Sequence, residues 1–321
     1  VRIFYLIFLK RVLKLINPIM TMNKVIVFGG NGFVGRNIQK YVQAKGFFFP
    51  PKNEVDLLNK SQTLEYLNKI KPDIIINLAG KVGGIQQNLN NQLDFLINNS
   101  LINLNLISAS IECGVPAFLN VSSSCIYPPN FDKPISENDL LKSGIEKSNE
   151  GYALAKILAL KACEFNDNQS YKSLIPCNLY GPHDNFDLIA GHMIPSVIHK
   201  IHIAKSKNEK VTIWGDGKSK REFMYVDDLV DFIFFFLNNY NKIPKVLNVG
   251  AGEDHTILKY YKIISKVIGY DCEFIFDKSK PTGMKRKLIS NDIIKSLGWK
   301  PKYSLENGIF KTYKYFLKNG I

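Results

Sequence analysis

The chain has 321 residues, of which 45% are hydrophobic and 22% charged, a composition typical of a globular protein with a large buried core. Its formal net charge is +14, yet the lysines are scattered, and the basic residues form only short blocks such as Lys218–Arg221, Lys278–Lys280 and Lys285–Lys287. The charge therefore indicates a basic surface with a local role in binding phosphates, and we expect no nucleic-acid partner.

The cysteines indicate the compartment. There are five of them, an odd number, and none is spaced like a metal ligand pair. We therefore expect no metal site, buried free thiols and a reducing, cytoplasmic location.

Residues 1–21 precede the first motif. Val1–Leu9 is apolar but too short to span a bilayer, and Lys10, Arg11 and Lys14 interrupt the residues after it. Because the first strand pattern begins just after Met22, we expect a start-site extension or a disordered segment. A helix lying on a membrane surface is the alternative.

A glycine-rich turn follows the first predicted strand, Lys24–Phe28. The order of strand, Gly-x-x-Gly-x-x-Gly and helix is typical of dinucleotide binding, because glycines permit the tight turn, the approach of a pyrophosphate and close packing of the helix. The amides at the start of the helix would face the phosphates. The residues expected at the cofactor are Gly29, Asn31, Gly32, Phe33, Val34 and Gly35.

The second predicted strand, within residues 46–56, bears on the choice of cofactor. It ends in Pro50, Pro51 and Lys52, without the acid that would bind the ribose hydroxyls of NAD. This favours NADP, with Lys52 near the 2′-phosphate. Asp56 and Leu57 fit a position beside the adenine, although a helix N-cap region ahead of Ser61 is an equal alternative.

The third predicted strand, Asp73–Asn77, leads into Leu78, Ala79 and Gly80. The small Ala79 and Gly80 would let the sugar and nicotinamide of the cofactor pass. A long helix follows over residues 91–113. Its apolar residues recur at helical spacing, and we expect its aliphatic side chains in the core. This helix carries Asn99, a further candidate for the cofactor site.

The stretch from residue 116 to 156 carries the candidate chemistry. An apolar strand ends at Ser122, Ser123, Ser124 and Cys125, where a parallel sheet gathers reactive groups. Tyr152-x-x-x-Lys156 lies in helix-favouring sequence, so both side chains share one face. A nearby ammonium lowers the pKa of a phenol, which would make Tyr152 a usable proton donor. An ordinary exposed helix face is the alternative.

With these landmarks the chain resembles the extended short-chain dehydrogenases/reductases, and within them the GDP-L-fucose synthase group. The resemblance rests on several stretches in order: Ala79–Ile85, Ser123–Pro128, Asn149–Lys156, Cys177–Phe186, His192–Pro195, Arg221–Phe223, Lys280–Gly283 and Arg286–Lys287. It implies an α/β fold, a Rossmann-type doubly wound parallel sheet with a smaller, interleaved α/β substrate-binding lobe. The implied division is 22–178 with 222–252 for the NADP domain, and 179–221 with 253–321 for the lobe.

The resemblance also implies roles for individual residues. Ser123, Tyr152 and Lys156 match the reductase triad, and Cys125 and His192 match the pair that moves protons in epimerisation. Tyr152 and Lys156 would also contact the cofactor. The implied substrate-binding residues are Lys81, Val82, Ser123, Ser124, Cys125, Asn178, His192, Trp214, Arg221 and Lys287.

The chain also departs from that family. Asn31 stands where relatives often place an arginine near the 2′-phosphate, and prolines stand where another basic residue is common. Thr282 and Lys285 alter the basic loop near the sugar, which leaves the identity of the sugar open.

Three functions are compatible with these residues. The first is NADPH-dependent C4 reduction with C3/C5 epimerisation of a GDP-4-keto-6-deoxy sugar, in nucleotide-sugar biosynthesis for surface glycans. The second is C4 reduction only, on a related sugar such as a heptose. The third is a non-catalytic dinucleotide sensor. The resemblance further implies a homodimer formed through a four-helix interface.

Overall fold

The computed structural model describes residues 24–129, 131–280 and 283–319. The extension expected at residues 1–21, and Thr282, lie outside the described residues. The strands are β1 (Val25–Phe28), β2 (Ile74–Asn77), β3 (Ala117–Val121), β4 (Tyr171–Pro176), β5 (Asn178–Tyr180), β6 (Val211–Trp214), β7 (Lys220–Arg221), β8 (Phe223–Tyr225), β9 (Val246–Val249), β10 (His255–Thr256), β11 (Phe274–Asp277) and β12 (Arg286–Lys287). The helices are α1 (Phe33–Ile38), α2 (Lys60–Ile70), α3 (Ile85–Asn90), α4 (Gln92–Glu112), α5 (Glu150–Phe165), α6 (Met193–Lys207), α7 (Val226–Asn239), α8 (Ile257–Ile268), α9 (Asp292–Ser296) and α10 (Leu305–Asn319).

The central sheet is parallel, in the order β1-β2-β3-β4-β9. Its strands are mainly apolar, as expected where helices cover both faces of a sheet, and every residue of β1, β2, β3 and β4 is buried. The predicted doubly wound parallel sheet is confirmed. All carboxyl ends of its strands therefore open at one edge, where a ligand crevice is expected.

The second predicted strand is reduced to a single ladder position. Phe48 bridges Ile26 in parallel, with the Phe48 amide 2.8 Å from the Val25 carbonyl oxygen. Pro50 and Pro51 follow, and because proline lacks an amide hydrogen, the ladder stops there. This bridge lies on one side of β1 and β2 lies on the other, so strand order reverses at β1. The reversal places a dinucleotide crevice above β1.

The substrate-side lobe is built from short strands. β5 pairs with β8, β6 pairs with β11, and β7 lies between β10 and β12. Helices α6, α8 and α10 enclose a second hydrophobic core that includes Ile198, Ile264 and Phe316. The chain then returns to the main sheet at β9. The domain boundaries drawn from the sequence stay a prediction.

Helix α4 matches the predicted span of 91–113 closely, but the expectation that its aliphatic side chains are core is wrong in part. Phe95 and Ile107 are buried, whereas Leu101 and Ile111 are 43% and 49% exposed. The buried face is completed by asparagines and a serine instead, Asn99, Asn103 and Ser110. The apolar residues therefore cover two faces of α4, of which one faces the solvent.

Among the described residues, none of the helices has both the length and the hydropathy needed to cross a bilayer.

Candidate active site

The glycine turn between β1 and α1 has no space for side chains. Gly29 has φ +82°, and a Cβ there would lie 2.7 Å from the Leu78 carbonyl carbon. A Cβ on Gly35 would lie 2.5 Å from the carbonyl oxygens of both Gly29 and Gly30. Gly32 is the N-cap of α1, which Phe33 and Val34 begin. The backbones of the turn, of α1 and of Leu78 therefore pack closely, which is the arrangement in which such a turn presents its amides to the pyrophosphate of a dinucleotide.

The residues expected near the adenosine lie beside that cradle. A Cβ on Gly30 would contact the Phe49 side chain at 2.8 Å, so the turn packs against the end of the 46–50 segment. Lys52 is exposed just beyond it. Asn59, not Asp56, caps α2, and the Asp56 carboxylate accepts the Leu58 amide at 3.1 Å. Leu57 is buried, and whether it or Asp56 contacts a cofactor stays a prediction.

Asn99 holds the turn that follows β2. Its carboxamide accepts the Lys81 amide at 2.8 Å and donates to the Lys81 carbonyl at 3.0 Å, so it fixes the backbone of Lys81 at the end of the Leu78–Lys81 turn. A Cβ on Gly80 would lie 3.7 Å from the Lys156 Nζ atom. The sequence predicts Asn99 at the cofactor; the structure places its side chain on the protein backbone. Val82 is exposed, and the Lys81 ammonium pairs with Asp94 on the surface.

Ser123, Tyr152 and Lys156, the three residues that the resemblance implies as a reductase triad, lie close together at the carboxyl end of β3. The Lys156 ammonium is buried, donates to the Val121 carbonyl at 3.1 Å and lies 5.8 Å from the centroid of the Tyr152 ring. Ser123 lies at the start of a short 3₁₀ turn, where its hydroxyl accepts the Cys125 amide at 3.3 Å. The Ser124 hydroxyl is buried and has no hydrogen-bond partner among the described residues. Such orphaned groups at a strand end are suited to a ligand.

The pKa of Tyr152 moves in the direction opposite to the one the sequence predicts. Burial raises the pKa of the phenol, the nearby Cys125 sulfur raises it further, and a hydrogen bond with Ser123 offsets only part of this. Burial also lowers the pKa of Lys156 to about 8. The Lys156 ammonium contacts the Val121 carbonyl rather than the phenol oxygen. The cost of burying a charged phenolate therefore outweighs any stabilisation of it by the ammonium. Tyr152 is therefore held protonated, the form a proton donor needs.

Cys125 is surrounded by groups that favour a thiolate. Burial by itself would raise the pKa of the thiol, but Lys287, a hydrogen bond with Ser123 and His192 together lower it below its ordinary value. The Lys287 Nζ atom lies 3.5 Å from the Cys125 sulfur, and the lysine is 7% exposed. The sequence predicts Lys287 at the diphosphate; the structure places its ammonium against the thiol.

The pKa of His192 is shifted in the opposite direction to that of Cys125. Its Nδ1 atom lies 3.0 Å from the Asp184 carboxylate. Burial lowers the pKa of the imidazole, but Asp184 and then Cys125 raise it, with a net rise. His192 occupies the N-cap position of α6, yet its side chain makes no capping hydrogen bond. The structure thus brings a thiolate-forming cysteine and an imidazolium-forming histidine into one electrostatic cluster with Tyr152.

Two basic residues meet on neighbouring strands. Parallel pairing of β7 and β12 places Arg221 directly opposite Lys287. The carboxylate of the next residue, Glu222, accepts the Gly252 amide at 2.8 Å and the Ile289 amide at 3.0 Å, so it ties the end of β7 to the segments that follow β9 and β12. Burial raises the pKa of Glu222 to about 7. Sequence reasoning missed this residue, although it stands inside the quoted Arg221–Phe223 motif.

The remaining candidates lie around this cluster. The Asn178 side-chain nitrogen donates to the Glu222 backbone carbonyl at 2.8 Å, so in this structure the side chain holds the backbone of Glu222 in place. Trp214 is 41% exposed at the end of β6, with the Lys280 ammonium 5.9 Å from its ring. An exposed indole with a cation on its face is suited to stacking on a planar base. Sequence reasoning also missed Asp184, because it lies eight residues before His192 across an irregular loop. Its place in the Cys177–Phe186 motif is the one signal in the sequence that points to it.

The comparison with known proteins agrees with this geometry. Residues 25–250 match the family described as the NAD dependent epimerase/dehydratase family. The chain belongs to that family.

No group of three or more His, Cys, Asp or Glu side chains arranged to hold a metal occurs in the part of the chain that the structure describes.

Two relatives and one solved structure define the group within the family. The chain is 46% identical to a GDP-L-colitose synthase of Yersinia pseudotuberculosis, covering 92% of this chain and 98% of that protein. It is 41% identical to a GDP-L-fucose synthase of Azorhizobium caulinodans, covering 92% and 96%. A GDP-mannoheptose C4 reductase from Campylobacter jejuni with NADP bound superposes with TM-score 0.81 at 27% identity, covering 92% and 98%. The resemblance predicted from the motifs is confirmed.

Proposed function

We propose that the protein is an NADPH-dependent enzyme that epimerises a GDP-4-keto-6-deoxy sugar at C3 and C5 and then reduces it at C4. The observation that carries this proposal is the joint arrangement of Cys125, His192 and Tyr152. A reductase needs only the serine, tyrosine and lysine, whereas a second, oppositely charged proton-transfer pair beside them suits epimerisation. The names of the relatives, GDP-L-fucose and GDP-L-colitose synthases, support the nucleotide-sugar substrate.

Epimerisation uses the acidity of carbon next to a ketone. The C4 carbonyl of the sugar makes the hydrogens at C3 and C5 removable, because the oxygen carries the resulting charge as an enolate. The Cys125 thiolate takes a proton from one face, and the His192 imidazolium returns one on the other. The lowered pKa of Cys125 favours the thiolate and the raised pKa of His192 favours the imidazolium, which are the forms that these steps need. Ser123 and Tyr152 donate hydrogen bonds to the oxyanion.

Reduction requires the dinucleotide, which the glycine turn, the Leu78–Lys81 turn and Lys156 would hold. A reduced nicotinamide bound there would supply the hydride for C4 of the sugar. Tyr152 gives its proton to the C4 oxygen, a favourable transfer because an alkoxide is a stronger base than even a buried phenolate. Lys156 then neutralises the phenolate. Its lowered pKa, about 8, keeps it able to exchange that proton near neutral pH.

The basic residues of the lobe would hold the nucleotide diphosphate. Arg221 offers a fork suited to two phosphate oxygens, and Lys287 lies beside it at the reacting end. Trp214 would stack on the guanine. NADP is preferred over NAD because Lys52 stands where an acid would select NAD, and because the similar reductase of C. jejuni was solved with NADP bound.

The test separates the two half-reactions. The enzyme is incubated in deuterated water with GDP-4-keto-6-deoxy-mannose and no NADPH, and deuterium at C3 and C5 is measured by mass spectrometry and NMR. Deuterium at both carbons is expected, followed by NADPH consumption when the cofactor is added. NADPH consumption without exchange would leave C4 reduction only, the reading suggested by the GDP-heptose reductases that share the fold.

A second candidate sugar is suggested by the relative at 46% identity, a GDP-L-colitose synthase. Colitose lacks the hydroxyl at C3, so epimerisation of its precursor concerns C5 alone. Comparing kcat/KM for the 6-deoxy and the 3,6-dideoxy ketosugars decides between the two substrates. A preference of more than about tenfold corresponds to 1.4 kcal/mol of transition-state binding and would assign the sugar.

We further propose that the protein acts as a homodimer in the cytoplasm. Helices α4 and α5 pack along each other and present one exposed apolar surface, formed by Leu93, Ile97, Leu101, Leu154 and Leu158. A contiguous patch of this kind is typical of a subunit interface. Pairing with a second copy would produce a four-helix interface. The five free thiols fit a reducing compartment.

A further inference from the structure

Asp184 makes a contact that the residue roles described above do not explain. Its side chain is 2% exposed, and one carboxylate oxygen lies 3.0 Å from His192 Nδ1. The other oxygen is buried without a hydrogen-bond partner among the described residues. A buried carboxylate is costly unless a positive charge compensates it. The compensating group in contact with it is the His192 imidazole.

The loop that carries Asp184 is held in place from two sides. The Asn37 side chain on α1 donates to the Pro182 carbonyl at 2.7 Å, and the Tyr315 hydroxyl on α10 lies 2.8 Å from His183 Nδ1. His183 itself has φ +67°, a conformation that a histidine adopts at a cost. Such strain persists only where the surroundings enforce it. The scaffold therefore sets the backbone before Asp184, and the Asn185 amide, which donates to the same carboxylate oxygen at 2.8 Å, helps to orient the side chain.

His192 is held equally firmly from its own side. A Cβ on Gly191 would lie 2.4 Å from the Asn185 carbonyl oxygen, so the backbone before His192 rests directly on the Asp184 loop. His192 also stands at the N-terminus of α6, where the helix dipole disfavours a cation. An imidazolium at this position needs a counter-charge, and Asp184 is the carboxylate in contact with it.

We propose that Asp184 is a positioning residue for the epimerisation: it retains the Nδ1 proton of His192 and orients the ring, so that the Nε2 proton is the one delivered to the sugar carbon. This inference rests on the proposed function. A similar division of roles between aspartate and histidine operates in serine hydrolases, where the histidine acts as a base.

The proton transfers of this step balance. The Cys125 thiolate removes the proton from the sugar carbon and becomes a thiol, and the electron pair of the broken C–H bond passes to the C4 oxygen. The imidazolium Nε2–H then protonates the carbon on the opposite face, the electron pair returns to that carbon, and His192 becomes neutral while its Nδ1–H stays hydrogen-bonded to Asp184. Solvent exchange of one proton from thiol to imidazole restores the starting pair.

The charged groups around His192 define the pH dependence. Cys125 and Asp184 act on His192 directly, while Lys287, Tyr152 and Arg221 act on it through Cys125. Exchange needs thiolate and imidazolium together, so its rate falls at low pH as the thiolate is protonated, and at high pH as the imidazolium is lost. Burial lowers the pKa of His192 and Asp184 raises it, so removal of the Asp184 charge moves the high-pH limb to lower pH.

The test uses Asp184→Asn, which keeps the shape of the side chain but removes its charge. Deuterium exchange into the ketosugar is measured against pH, and NADPH-dependent reduction of an already epimerised ketosugar is measured separately. The matched control is Asp187→Asn, an exposed aspartate in the same loop whose carboxylate accepts only backbone amides, from Ile189 and Ala190. A double-mutant cycle with His192→Gln completes the set.

Exchange by Asp184→Asn is expected to fall by about tenfold or more, the effect of losing one charge-assisted hydrogen bond, while C4 reduction falls much less. The high-pH limb moves to lower pH, Asp187→Asn matches the wild type, and Asp184→Asn adds no further loss to His192→Gln. The positioning role would be refuted if Asp184→Asn slowed exchange and C4 reduction equally and left the high-pH limb of exchange unmoved. It would also be refuted if the losses of exchange caused by Asp184→Asn and His192→Gln were fully additive. Wild-type enzyme that reduces without exchanging would instead refute the proposed function.

Discussion

Replacement of Lys287 by methionine tests the electrostatic basis of the site. Methionine fills a similar volume but cannot stabilise the Cys125 thiolate. At the observed 3.5 Å between Nζ and sulfur, Coulomb's law with an effective dielectric constant of about 20 sets an upper limit of about 5 kcal/mol. Measured hydrogen bonds to charged groups contribute about 1.5–3 kcal/mol to stability. This lower range applies here, because it already includes the cost of removing both groups from water.

This free energy translates into reactivity. A loss of about 1.5–3 kcal/mol lowers the thiolate fraction about 10- to 150-fold when most of the cysteine is protonated. A more basic thiolate is also more nucleophilic, with a Brønsted coefficient near 0.5, which recovers about the square root of that factor. Alkylation of Cys125 by iodoacetamide at pH 7 is therefore expected to slow by about 3- to 12-fold in Lys287→Met.

The assay follows the Cys125 peptide by mass spectrometry across a pH series, without substrate, so that a role of Lys287 in holding the diphosphate cannot affect it. The midpoint of the alkylation profile should move to higher pH. Lys285→Met is the matched control, because Lys285 is exposed two residues earlier, and the half-buried Cys113 thiol is an internal reference. An unchanged rate and midpoint in Lys287→Met would refute the pairing of lysine and thiolate.

Three further outcomes are expected. Tyr152→Phe should lose about 10²–10⁴-fold in C4 reduction while deuterium exchange changes only severalfold, and undiminished NADPH consumption would contradict the proton-donor role. Gly35→Ala should weaken NADPH binding more than tenfold in a fluorescence titration, about 1.4 kcal/mol or more, because its Cβ would collide with two carbonyl oxygens. The control Gly144→Ala, whose Cβ would have no atom within 4 Å, should bind NADPH normally. Leu101→Glu should shift the protein to monomer in size-exclusion light scattering, whereas Phe310→Glu, also on the surface, should not; a dimer that survives Leu101→Glu would exclude the α4–α5 surface as the interface.

The cofactor side of the molecule could be predicted from sequence because its signals are local. The β1–Gly29 turn, β2, β3 and α4 are indicated by apolar runs and glycine spacing within a few residues of each other. The weak second strand was harder to predict, since a run of three phenylalanines indicates a strand while Pro50 and Pro51 stop its ladder after Phe48.

The substrate side depends on pairs that are distant in sequence. Lys287 meets Cys125 across 162 positions, and nothing near either residue indicates that contact. The pKa of Tyr152 was predicted in the wrong direction because the spacing to Lys156 shows proximity of two groups but not how deeply they are buried. Burial likewise could not be read from α4, where the same apolar periodicity serves a core face and a surface face.

The late position of β12 in the chain has a consequence for how the reactive sulfur arises. Cys125 follows a strand of the central sheet, but the Lys287 ammonium that favours its thiolate belongs to β12, a two-residue strand near the C-terminus. Glu222 holds the segment after β12 through the Ile289 amide. Without that segment the thiol would lack Lys287, the strongest of the groups that lower its pKa. Reactivity at Cys125 is thereby made conditional on completed folding, and the rate of alkylation during refolding would report when the C-terminal segment arrives.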